Sequence, residues 1–220
     1  MFAIRFYRFC KFFIPDFLPT LDKVIYLDSD ILIQGDLTEL WQTNVRRYYA
    51  AVVKDSQSVI GWEKHLKWLG FKERAYFNSG VMLLNLDLMR RNGLSEKLMD
   101  YRIHGKNRFM DQDALNVVFG CRVKYVSYRY NCLNWLFVSC TIPQLKEIFG
   151  AEIRDSVEEN LDHAVVLHIG GSEKPWLRDL PYYTEEEHHR HDVRPGLSGY
   201  AQAHGRNTVS WDEKLAMDLQ

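Results

Sequence analysis

With 220 residues, 46% of them hydrophobic, the chain has the apolar content for one domain, or one and a half, around a sizeable core, which argues against disorder over most of its length. A formal net charge of −1 lacks the basic excess that a phosphate backbone demands, so nucleic acid is not an expected partner. Aromatic residues make up 14%, and their flat faces serve sugar stacking and core packing alike.

Residues 1–14 read as a helix that stops before Pro15. Arg5, Arg8 and Lys11 interrupt its aromatic run every three residues, so the stretch has neither a signal-peptide core nor a membrane span. It either packs on the domain or lies on a membrane surface as a basic amphipathic segment, a peripheral association. Residues 24–27 form a short apolar strand that leads straight into Asp28-Ser29-Asp30. Gly35-Asp36 marks a turn, residues 37–42 a helical turn, and residues 50–53 a second strand that ends near Asp55. Helical periodicity covers residues 62–69, and Tyr76-Phe77-Asn78-Ser79-Gly80 reads as a polar break before a third strand over residues 81–86. One helix is expected over residues 87–103 and another opening at Asp111-Gln112-Asp113, with Asp111 placed to cap it. Residues 120–145 read as short strands and loops, residues 144–149 as helical, and residues 164–167 as a fourth strand running into His168. Strands alternating with helices argue for an α/β architecture whose ligands collect at the C-terminal edge of the strands. A charged run begins at Glu185, and a domain boundary is placed between residues 184 and 185. The histidines at 188, 189 and 191 within it either chelate metal or form part of a solvated charge run.

Side chains alternate along an extended chain, so Asp28 and Asp30 can face one side while Ser29 faces away. Such a pair can hold a hard divalent cation with phosphate oxygens, or it can be a turn or helix cap. His168 either completes that set, giving two carboxylates and one imidazole, or is a hydrogen-bonded buried histidine. After it, Gly170 and Gly171 permit close backbone approach to phosphate and Lys174 offers a point charge. Asn78 can bond sugar hydroxyls or make an ordinary turn; Asn116 reads as structural. An EF-hand loop is ruled out because Leu32 and Ile33 stand where further ligands and a glycine are needed. A phosphatase-like use of Asp28 and Asp30 would leave His168, Gly171 and Lys174 without a role. Cys10, Cys121, Cys132 and Cys140 show no C-x-x-C spacing, which fits a reducing, cytoplasmic setting.

Five stretches in order, Asp22-Lys23-Val24-Ile25-Tyr26-Leu27-Asp28-Ser29-Asp30, Gly35-Asp36-Leu37, Tyr76-Phe77-Asn78-Ser79-Gly80-Val81, Asp111-Gln112-Asp113-Ala114-Leu115-Asn116 and the run from His168 to Trp176, resemble glycosyltransferase family 8, the group of bacterial lipopolysaccharide galactosyl- and glucosyltransferases and glycogenin. The resemblance implies a GT-A fold, Mn2+ (with Mg2+ as the alternative ion), and transfer of a hexose from a UDP-sugar with retention at the anomeric carbon. It also implies Asp28, Asp30 and His168 as metal ligands and Gly171 and Lys174 as diphosphate contacts. Arg8, Asp55, Asn78 and Asp111 match positions at the donor sugar, and Gln112 the position beside the anomeric carbon. The expected acceptor is a surface glycan such as lipopolysaccharide, reached at the inner face of the membrane.

The chain departs from that family at both ends. Before the region matching Met1, family members carry a further half-domain that holds the nucleotide, so this chain is expected to bind UDP-sugar weakly and to expose a sheet edge. Residues 190–214 resemble the C-terminal part of bacterial sugar transferases that load sugar phosphate onto polyprenyl phosphate. Two alternatives to transfer follow: a non-catalytic remnant of a glycosyltransferase, or, on the tail alone, a polyprenyl-phosphate sugar-phosphate transferase.

Overall fold

The computed structural model describes residues 7–55, 63–71 and 76–170. Among them, seven strands appear in chain order: β1 (Lys23–Leu27), β2 (Ile31–Ile33), β3 (Ala50–Lys54), β4 (Phe77–Asn85), β5 (Val123–Tyr125), β6 (Cys132–Leu133) and β7 (Val166–His168). The α-helical segments are α1 (Ile14–Phe17), α2 (Thr38–Gln42), α3 (Glu63–Leu69), α4 (Leu86–Arg91), α5 (Leu94–His104), α6 (Met110–Phe119), α7 (Asn134–Ser139), α8 (Ile142–Phe149) and α9 (Val157–Asp162). The main sheet has the order β1-β4-β3-β5 and a smaller one the order β2-β7-β6. Strand β4 pairs antiparallel with both β1 and β3, β3 runs parallel to β5, β2 is antiparallel to β7, and β6 is parallel to β7. The α/β expectation therefore holds, with a mixed sheet.

Both faces of the main sheet are covered, which explains why β3 and β4 read as unbroken apolar runs. Ala51, Val53, Val81 and Leu83 face one core, shared with Tyr128, Phe137 and Leu145. Their neighbours Ala50, Val52, Met82 and Leu84 face the other, shared with Phe12, Met89, Leu98 and Phe119. The two-residue alternation of an extended chain thus feeds two cores from one sequence run.

Four expectations about elements are corrected. Asn134–Ser139, expected within a run of strands and loops, forms helix α7. Residues 7–13 form a 3-10 helix, and the chain continues through Pro15 into α1, because a proline in the first helical turn loses no hydrogen bond there. Phe12 is fully buried, so this segment packs on the domain. The helix expected over residues 87–103 is two helices, parted at Gly93, whose φ of 58° is a left-handed conformation open to glycine. The polar break at residues 76–80 is instead the start of β4. Asn-Ser-Gly has turn composition, but here the Gln112 and Asn78 side chains take up its backbone donors.

By its internal contacts the chain divides into Met1–Gly171 and Ser172–Gln220. The expected boundary at 184/185, the histidine-bearing charge run and the tail lie outside the described residues. None of the four cysteines forms a disulfide; Cys132 and Cys140 are buried. Among the described residues, no helix is long and apolar enough to cross a membrane.

Beneath the site, the carboxylate of Asp113 is fully buried and accepts hydrogen bonds from Tyr76 Oη (2.6 Å), Arg108 N (2.6 Å) and Phe109 N (2.8 Å), with His65 Nε2 at 2.9 Å. Burial first, and then the charge of Asp113, pushes the Tyr76 hydroxyl far above the ordinary tyrosine range. The native state keeps this proton where the unfolded chain, titrating near ~10, has lost it. Because the native state then binds more protons, stability is complete below about pH 10 and falls above it, by up to ~1.4 kcal/mol per pH unit from this group. Urea unfolding at rising pH is expected to show that decline, with a shallower one in Tyr76→Phe. An identical slope in the variant would refute the assignment.

Candidate metal centre

The loop at residues 28–30 carries the chain from one sheet to the other. Asp28 N donates to Gly80 O on β4 (2.8 Å), and Ile169 N donates to Asp30 O (2.9 Å). The β2–β7 register sets Ile31 opposite His168. These backbone pairings bring the two aspartates to the end of β7, and one ligand atom each from Asp28, Asp30 and His168 lie within 4.8 Å of one another. His168 Nε2 is 3.3 Å from Asp30 Oδ1. Ligands on opposite sides of one divalent ion stand about 4–5 Å apart, so this set fits a single ion. Two carboxylate oxygens and an imidazole suit a divalent cation.

A bulge in β4 builds the rest of the site. Val52 and Val53 are consecutive on β3, yet they pair with Met82 and Asn78, so Ser79, Gly80 and Val81 are surplus to that ladder. Backbone groups freed by a bulge must find other partners. Gly80 N donates to Asn78 Oδ1 (2.9 Å) and Ser79 N to Gln112 Oε1 (3.0 Å). Just before the bulge, Asn116 accepts from Phe77 N (2.8 Å) and donates to Phe77 O (2.9 Å), the structural role expected of it. The far ends of the two site amides converge, since Asn78 Nδ2 (3.2 Å) and Gln112 Nε2 (3.1 Å) both donate to Asp55 Oδ2. Asp55 is itself buried at the end of β3.

Lys11, Tyr26 and Asn131 join this group without having been singled out by sequence. The buried Lys11 ammonium lies 2.6 Å from Asp111 Oδ2, 3.4 Å from Asp28 Oδ1 and 4.7 Å above the Tyr26 ring. Tyr26 Oη donates to Asp28 Oδ1 at 2.6 Å; burial, then the Asp28 charge, pushes its hydroxyl upward. Asp111 is therefore an ion-pair partner and not a cap: the N-cap residue is Phe109, and Asp113, within the helix, accepts from Arg108 N and Phe109 N just ahead of it. Lys11 carries no signal in the sequence beyond interrupting an aromatic run. The Arg8 side chain, Gly171 and Lys174 lie outside the described residues. Asn131 carries no signal beyond being a polar residue in an apolar, aromatic stretch.

Residues 3–179 match the family model for glycosyl transferase family 8. General stress protein A of Bacillus subtilis (strain 168) is 28% identical over 185 residues, covering 80% of this chain and 62% of that protein. A lipopolysaccharide 1,2-glucosyltransferase of Escherichia coli is 31% identical over 189 residues, covering 84% of this chain and 52% of its own length. Among solved structures, the galactosyltransferase LgtC in complex with donor and acceptor sugar analogs superposes with a TM-score of 0.64 at 27% identity, over 80% of this chain and 62% of that one. The chain thus spans between half and two thirds of the length of these relatives, and its mixed α/β architecture is the GT-A fold.

Gly80 is required here for space. A Cβ at this position would sit 2.2 Å from His168 Cε1 and 2.7 Å from Nδ1, so any side chain must displace the ring. Gly80→Ala is expected to weaken Mn2+ binding at least ~10-fold while removing no ligand, at a packing cost of about 1–3 kcal/mol. Calorimetry with Mn2+ beside a thermal melt checks both; unchanged Mn2+ affinity would contradict the close approach.

Proposed function

The chain belongs to glycosyl transferase family 8, and on that premise we propose that it is a metal-dependent, retaining hexosyltransferase moving glucose or galactose from a UDP-sugar to a surface glycan such as lipopolysaccharide. The observation that carries this reading is the convergence of Asp28, Asp30 and His168 within 4.8 Å, joined through Asn131 to the hydrogen-bonded group of Asn78, Asp55 and Gln112. The choice of hexose rests on the glucosyl- and galactosyltransferase activities named for two of the relatives.

In this reading Asp28, Asp30 and His168 hold Mn2+ or Mg2+, which supplies positive charge to the diphosphate as it departs. Gly171 and Lys174 add backbone and point-charge contacts to the same diphosphate. Asp55 and Asn78 receive sugar hydroxyls, together with Asp111 and with Arg8 from the N-terminal turn. Lys11 holds the Asp28 and Asp111 carboxylates in place from behind. Gln112 has its nitrogen committed to Asp55 and one lone pair of its oxygen to Ser79 N, so it serves as a fixed dipole that steadies a cationic sugar and not as a nucleophile.

Residues 1–184 form the glycosyltransferase-like unit in this reading and residues 185–220 a separate fragment, a division supported by a family match that ends at residue 179. The enzyme works in the cytoplasm, at the inner face of the membrane where its acceptor is assembled.

The test separates ion from sugar. With Mn2+ and either UDP-glucose or UDP-galactose, Asp30→Ala is expected to lose Mn2+ affinity by more than ~100-fold, beyond what outer-shell changes produce. Gln112→Ala should keep Mn2+ affinity and lose transfer or donor hydrolysis by roughly 10²–10³-fold. Turnover that persists in Asp30→Ala, or a Gln112→Ala protein with near-normal turnover, would overturn these assignments.

A further inference from the structure

We propose that Asn131, which no part of the site's chemistry has so far employed, is the positioning residue that fixes the tautomer of His168 and ties it to the sugar-facing amides. The proposal rests on His168 being a metal ligand, and its own observation is a chain of hydrogen bonds with only one consistent set of directions. A backbone N–H can only donate, so the Asn78 atom 2.9 Å from Gly80 N is the amide oxygen. That oxygen also faces Asn131 at 2.9 Å, so Asn131 presents its Nδ2–H2 there. The opposite end of Asn131 is then Oδ1, and it lies 2.8 Å from His168 Nδ1. Nδ1 must carry the proton, and a neutral ring keeps its lone pair on Nε2, the nitrogen beside Asp30.

The other tautomer has no consistent arrangement. Turning the Asn131 amide over would set two oxygens against each other at the Asn78 contact, and turning Asn78 to relieve that would set its NH2 against Gly80 N–H. Asn131 is almost fully buried, as is His168, so water is poorly placed to rescue either mismatch. The direction of one bulge amide is thus transmitted through two side chains to the imidazole. A histidine that ligates a metal through one nitrogen is ordinarily held through the other in this manner. The same Asn78 donates to Asp55, so Asn131 joins His168 and the Asn78–Asp55 pair in one network.

The most direct test needs no variant and no metal. In the full chain labelled with 15N-histidine, His168 is expected to carry a proton on Nδ1; a ring whose only proton is on Nε2 would overturn the proposal. Mn2+ binding then separates roles: Asn131→Leu should lose affinity by about 10–100-fold. Asn131→Asp keeps an acceptor for Nδ1–H and should bind Mn2+ nearly as the unchanged chain does, although its lost donor disturbs Asn78. An Asn131→Leu protein with full Mn2+ affinity, or an Asn131→Asp protein as weak as Asn131→Leu, would also overturn it. If the unchanged chain bound no Mn2+, the metal reading would fall while the tautomer assignment stood or fell by the proton's position.

Discussion

The bulge at Ser79–Val81 is the constraint from which the site follows. Inside a sheet buried on both faces, every N–H that leaves the ladder costs about 1–3 kcal/mol unless it finds an acceptor. Gln112 and Asn78 provide acceptors for Ser79 and Gly80, and Asp28 N occupies Gly80 O. Satisfying the backbone therefore also orients the side chains. An amide that must present oxygen to a backbone donor must present NH2 at its other end, and both such ends meet at Asp55. Structural need and site geometry are the same set of bonds here, so stability and function cannot be varied independently at Asn78 or Gln112.

Electrostatics supplies the second half. Asp28 and Asp111 come from distant parts of the chain and approach the same ammonium. At ~4 Å and an effective dielectric near 20, a pair of unit charges interacts by about 4 kcal/mol, so two carboxylates meeting here without Lys11 would repel. Lys11 also shares Asp28 Oδ1 with the Tyr26 hydroxyl. That oxygen is thus held on its inner side, while His168 and Asp30 define the other side of the cluster. Two aspartates separated by one residue, Asp28 and Asp30, divide accordingly: one is anchored to a lysine and a tyrosine, the other lies against an imidazole.

How much of this was legible depended on whether the cause was local. Asp28 and Asp30 were readable because strand alternation and an abrupt change from apolar to acidic residues are local patterns, and His168 showed at the end of an apolar run in the same way. The family resemblance supplied Asp55 and Gln112, whose meeting across 57 positions has no periodic trace. Asn78-Ser79-Gly80 looked like a turn because its composition is that of one; what makes it strand is Gln112, 33 residues on, accepting from Ser79 N. Lys11 was read as an interruption of an aromatic helix, since a lysine in such a run is normally solvated, and only the convergence of two remote carboxylates makes its burial favourable. Asn131 is the extreme case: its role lies entirely in hydrogen-bond directions that exist only in three dimensions.

The start of α6 shows how far the support extends behind the clustered polar side chains. Met110 has a φ of 41°, an unfavourable conformation for a residue with a Cβ and one that costs of order 1–3 kcal/mol. On either side of it, Asp113 accepts from Arg108 N and Phe109 N (2.6 and 2.8 Å), and Tyr76 and His65 grip the same carboxylate. The sharp entry into the helix leaves Asp111 directed at Lys11 and Gln112 at Asp55, two adjacent residues serving different partners. Had Asp111 capped the helix, as its position in the sequence suggested, its carboxylate would have been spent on backbone donors. Asp113 instead ties Arg108 N and Phe109 N to the buried side of the helix start, and Asp111 stays on Lys11.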